Sequence, residues 1–146
     1  MTSEDVSPSE SSEVEYKLKS LQGSPQERVS ALRGLAITPL PDRRLLVLCE
    51  ALLDDQTITL LGVPFTFGEI RWFAADAVVS LRRVFNISEP VVISNVFAPV
   101  SWAQAIALAK AAGLEKKGGV EGTIEALETL ARMDRLPRRK ITRTPE

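Results

Sequence analysis

Apolar positions recur with helical spacing over most of the stretch from residue 24 to residue 133. Val29, Leu32, Leu35 and Ala36 form a first stripe. Ahead of it, Ser24-Pro25-Gln26-Glu27 combines an N-cap, a proline at the first helical position and a capping-box glutamate. Pro39 and Pro41 end that helix. A second is predicted from Asp42 to Leu53, with Leu45, Leu48, Cys49, Leu52 and Leu53 at i, i+3, i+4, i+7 and i+8. A third runs from Gly68 to Leu81 on a stripe of Ile70, Phe73, Ala74, Ala77, Val78 and Leu81, with Glu69, Arg71, Asp76, Arg82 and Arg83 largely off it.

The remaining segments carry weaker signals. Gln56 to Phe67 is uncharged and interrupted by Gly62 and Pro64, which reads as a long apolar loop, and loops of that length are often functional or packed on a partner. Pro90 to Phe97 reads as a short helix entered at proline, although its β-branched residues leave a strand open. Val100 to Ala112 is alanine-rich and helical in spacing, with Gly113 as its stop. Val120 to Met133 supplies a last amphipathic helix through Ile124, Leu127, Leu130 and Ala131. Six helices in three hairpins are predicted, an all-α chain.

The two ends look different. Residues 1–19 are rich in serine and acidic side chains, and residues 137–146 carry Arg138, Arg139, Lys140 and Arg143 between two prolines. Both are expected to be disordered tails, opposite in charge, around a folded domain over residues 20–136.

Composition narrows the chemistry. The chain has 146 residues, 45% hydrophobic and 25% charged, as expected for one domain, and its net charge of −1 implies no general attraction for nucleic acid or an anionic membrane. It contains no histidine and one cysteine. Ser-His and Cys-His nucleophile pairs, imidazole acid-base catalysis and internal disulfides are therefore excluded, and zinc loses its commonest nitrogen ligand. Cys49 is expected to be a small buried hydrophobe in a reducing, cytoplasmic setting. The uncharged run from Pro90 to Ala109 is broken by prolines and polar residues, so no membrane span is expected. No cofactor is indicated.

Leu45 to Asp55, followed by Glu69-Ile-Arg-Trp-Phe-Ala-Ala-Asp-Ala-Val78, resembles the HEAT-repeat pattern in the variant also found in phycobiliprotein lyases. A weaker copy at Glu27 to Leu35 aligns Arg28 with Arg71 and Ala31 with Ala74, a spacing of 43 residues. The resemblance implies a short, irregular α-solenoid of about three helical hairpins, in which Arg28, Asp54, Asp55 and Arg71 cap helices and link repeats by hydrogen bonds. Its departures are the insertion from Gln56 to Phe67 and Thr123 at a position where the alignment would put arginine.

Among possible contact residues, Trp72 lies beside the packed stripe, and with Phe65, Phe67 and Arg71 it could form an apolar patch for a partner. The expected function is a non-catalytic protein-binding adaptor or assembly subunit, with another protein as partner and self-association through the solenoid ends as a further contact. The resemblance also implies a chromophore-lyase-like accessory role as an alternative. A nucleic-acid-binding array using Arg28, Arg82, Arg83, Arg132 and the basic end is the other, although nucleic acid is not the expected partner.

Overall fold

The Ser24 capping box forms as its residues predict: Ser24 Oγ accepts from Glu27 N at 3.2 Å, and Glu27 Oε1 accepts from Ser24 N at 2.8 Å. A computed structural model describes residues 8–62, 65–114 and 118–145. In chain order the helices are α1 (Pro8–Ser20), α2 (Pro25–Ile37), α3 (Arg43–Ala51), α4 (Ile70–Val84), α5 (Trp102–Ala111) and α6 (Gly119–Arg132). A single 3-10 turn, Leu52–Asp54, follows α3. The strands are β1 (Ile58–Leu61), β2 (Thr66–Glu69), β3 (Val91–Val96), β4 (Val100–Ser101) and β5 (Arg139–Arg143).

Helix accounts for 57% and strand for 16%, in two antiparallel sheets, so the expectation of an all-α solenoid of stacked HEAT-like hairpins is overturned. One sheet has the order β1-β2-β4, the other pairs β3 with β5. The stretch read as a long loop, Gln56 to Phe67, contains β1 and begins β2, which pair with Ile58 opposite Glu69 and Leu61 opposite Thr66. A β-hairpin thus stands between α3 and α4, where a solenoid would need a tight helical turn. Residues 63 and 64, including the Pro64 of that reading, lie outside the described residues.

Pro90 to Phe97 is also a strand rather than a helix. Val91 and Ile93 face inward while Val92 is 52% exposed, the alternation of a half-buried strand.

Neither end behaves as a disordered tail throughout. Residues 1–7 of the acidic segment lie outside the described residues, but from Pro8 the chain forms α1, whose Val14 is buried against the core together with Leu21 just beyond it. At the basic end, β5 pairs with β3 and buries Ile141.

These additions complete a first hydrophobic cluster around α4. Its Ala74, Ala75 and Ala77 are fully buried, and side chains this small let α4 pack closely on α2 and α3. Ser80 Oγ donates to the Ala36 carbonyl at 2.9 Å, tying α4 to the last turn of α2. A second cluster gathers Ile58, Phe67, Phe97, Ala105, Leu127 and Leu130 between the three-stranded sheet and the α5–α6 pair. The β1–β2 hairpin joins the two clusters, since Leu61 packs on the first and Ile58 and Phe67 belong to the second. Gly68 makes one close approach possible: a Cβ there would sit 3.0 Å from Pro99 Cα.

Candidate functional site

The start of α4 is where the chain concentrates its buried charge. Glu69 ends β2 and precedes the first turn of α4, whose Ile70 and Arg71 backbone N–H groups donate to Thr57 and Asp55 carbonyls, each at 3.0 Å. Its carboxylate is fully buried and is held from two sides. Arg71 donates through Nε to Oε1, and Arg138, just before β5, donates through Nη1 to Oε2 at 2.8 Å. Both arginines also donate to the Asn95 carbonyl, Arg138 at 3.0 Å.

Asn95 supplies that carbonyl because the β3–β5 register slips between Ile93 and Val96, and its φ of 60° lies in the left-handed region that asparagine tolerates. A carboxylate without water is strongly unfavourable unless paired, which explains the convergence of two guanidiniums. Arg138 Nε is buried without a hydrogen-bond partner among the described residues.

In the same first turn of α4, Trp72 is half-buried under the basic strand. The guanidinium carbons of Arg139 and Arg143 lie 4.8 and 4.9 Å from its ring centroid. Arg143 Nε also donates to Asp76 Oδ1 at 2.8 Å. Trp72 and Asp76 share a helix face at i, i+4, so β5 lays its cations across one ridge of α4.

The four residues expected to form a contact patch are therefore not one surface. Phe67 is fully buried and Arg71 is committed to Glu69. Phe65 stacks on Trp102 with centroids 5.4 Å apart, in the second cluster, while Trp72 packs on the first. Of the positions expected to link repeats, Arg28 pairs with Asp55, whose other oxygen caps Thr57 N at 3.0 Å, and Asp54 is exposed. Arg82 is bound to Glu50 at 3.0 Å, which removes it, with Arg28, from the cations free for a nucleic-acid backbone.

Two openings have a definite chemical character. A groove of about 710 Å³ between α1 and α3 has an apolar floor of Leu18, Val47 and Leu48 and a rim of Lys19, Arg43 and Arg44, with Glu15 against Arg44. A second cleft, of about 440 Å³, lies between α2, α4 and the end of β5. The groove was missed because α1 read as a tail, yet Val14, Leu18 and Leu21 stand at helical spacing and could have shown it.

Cys49 is fully buried, and burial, followed by the charge of Glu50, pushes its thiol up to about 12, so it is protonated and shielded at neutral pH. Among the described residues no three His, Cys, Asp or Glu side chains gather as metal ligands, and no helix is long and apolar enough to cross a membrane. Compared with protein-family models, with characterised proteins and with solved structures, the chain matches none.

Proposed function

We propose that this protein is a non-catalytic, cytoplasmic protein-binding adaptor that seats one amphipathic helix of a partner, acidic along its flanks, in the groove between α1 and α3. The observation that carries this reading is the pairing of an apolar floor with a cationic rim. Val47, 62% exposed at the centre of α3, joins Leu18 and Leu48 in the groove lining, so the floor presents an apolar surface larger than one side chain. Arg43 lies over the Phe85 ring at 4.4 Å, and Arg44 pairs with Asp42 at 2.8 Å and Glu15 at 3.3 Å, so part of the charge on Arg44 is already met within the fold. An apolar helix face would cover Leu18, Val47 and Leu48, and acidic flanking residues would meet Lys19 and Arg43. The single cysteine, buried and free, suits a reducing compartment.

The test is a display selection of helical peptides about four turns long, with leucine at i, i+3 and i+7 and the flanks randomised. Acidic flanks should be enriched, and Val47→Glu should weaken the selected peptides by at least about tenfold, the loss expected for a buried apolar anchor. Enrichment of basic flanks, or unchanged binding by Val47→Glu, would sink the reading. So would a concentration-dependent dimer abolished by Val47→Glu, which would make a second copy the occupant.

A further inference from the structure

The cleft between α2, α4 and the end of β5 has a different character from the groove. We infer that it binds a phosphate monoester carried on an apolar, ring-sized group, independently of any helix on the other surface. Its charge distribution is the first reason. Of the arginines on α2 and α4, Arg28, Arg71 and Arg82 each hold a carboxylate, whereas Arg33 and Arg83 hold none among the described residues. Both of these unpaired guanidiniums line the same cleft, one from each helix. The carboxylate that also lines it, Asp76, is already bound by Arg143 Nε at 2.8 Å and so opposes an anion less than a free aspartate would.

Two guanidiniums match the charge and fork geometry of a dianionic phosphate better than those of a single carboxylate. The second reason is the lining below them. Phe73 and Val79 present an apolar floor, and Ile37, 75% exposed, stands as a side wall. Ser80 faces the cleft, but its hydroxyl proton is given to the Ala36 carbonyl, leaving it only as an acceptor and the arginines as the anion's donors. A volume of about 440 Å³ suits a small ligand with one ring.

Occupancy has a built-in reporter. Arg143 lines the cleft and stacks on Trp72 at 4.9 Å, so an anion that draws its guanidinium alters the surroundings of that indole.

The experiment titrates the intact protein, in a phosphate-free buffer, with phenyl phosphate, benzoate and benzyl alcohol. Binding is read by phosphorus or proton NMR on the unmodified chain. It is read again by fluorescence in Trp102→Phe, where Trp72 is the remaining tryptophan. Phenyl phosphate should bind saturably, tighter than benzoate, and benzyl alcohol should not bind. Its affinity should fall as salt rises, because both arginines are solvent-accessible. Arg33→Gln and Arg83→Gln should each weaken it by about tenfold or more with helical content unchanged.

A phosphotyrosyl peptide in a further arm separates the two sources of such a group. Tighter binding than phenyl phosphate assigns the phosphate to a modified protein, and equal or weaker binding assigns it to a small molecule. Absence of saturation by about 10 mM, a phosphate affinity of a few kcal/mol, overturns the inference. So does an affinity indifferent to the Arg33→Gln/Arg83→Gln double substitution, or benzyl alcohol binding as well as the phosphate.

Discussion

Glu69 and Arg138 are 69 positions apart in the chain and meet in a 2.8 Å ion pair from which water is almost wholly excluded. The pair fastens the approach to β5 onto the junction of β2 and α4. Because Arg71 shares the same carboxylate, neutralising Glu69 leaves two guanidiniums facing a neutral amide. Glu69→Gln should therefore cost about 3–5 kcal/mol of stability in chemical denaturation, the usual penalty for breaking a buried pair from one side. Arg138→Met should cost less in a Glu69→Gln background than in the wild type, and a double-mutant cycle showing additivity would refute the coupling.

Gly68 gives a second, steric test. An alanine Cβ there would meet backbone atoms of Pro99 at 3.0 and 3.1 Å, and neither strand nor turn has a flexible side chain to move aside. Gly68→Ala should destabilise by about 1–3 kcal/mol, as over-filled interiors do. The strain should appear in amide shifts around Val100 and Ser101, the residues of β4 paired to β2. Unperturbed shifts there would show that the approach relaxes at no cost.

Cys49 supplies a probe of opening. A fully buried thiol whose pKa is raised to about 12 should resist iodoacetamide at neutral pH in the native protein and react fully in denaturant. Its labelling rate in intermediate denaturant should track unfolding of the first hydrophobic cluster. Rapid labelling without denaturant would mean that α3 detaches from α4 on its own.

Acid titration tests the start of α3. A side-chain hydrogen bond from Arg44 holds the Asp42 carboxyl below its ordinary range. A folded pKa lower than the unfolded one adds stability above the unfolded value, about 4, and that contribution disappears as pH falls through the folded value. Asp42→Asn keeps a side-chain cap but removes this charge. Its deficit in melting temperature should be greatest near neutrality and should vanish as the wild-type carboxyl becomes protonated. A deficit independent of pH would assign the loss to cap geometry instead.

The sequence made some of this architecture readable and hid the rest for identifiable reasons. Local signals survived folding: the Ser24–Glu27 capping box, the alanine-rich stripe of α4, and the stop at Gly113, whose φ is 70°. Strands that depend on distant partners did not. In β3 the pattern of Val91, Val92, Ile93 and Val96 fits either period, and only pairing with β5 makes Val92 face outward. β5 has one inward apolar residue, Ile141, among five, so its conformation comes from the neighbouring strand and not from its own composition. Arg71 could be marked as important from its place at the head of α4, but the partner that buries it, Glu69, is itself bridged by an arginine from the far end of the chain. The cation-lined cleft is similarly non-local, since Arg33, Arg83 and Arg143 are distant in sequence and become neighbours only once α2, α4 and β5 dock.

The register of the β3–β5 ladder, with Val91 opposite Arg143 and Val96 opposite Arg139, means that residues 97–138 leave the sheet and return to it at the same rung. The α5–α6 pair within that excursion packs back on β1 and β2, through Ile58 and Phe67 of the second cluster. The first cluster cannot acquire Ile141 until the whole excursion has been looped shut. Loop closure grows slowly with length but must precede the contacts that reward it. The seal on the first cluster is thereby tied to the far end of the chain: it closes only once residues 97–138 have come back to β3.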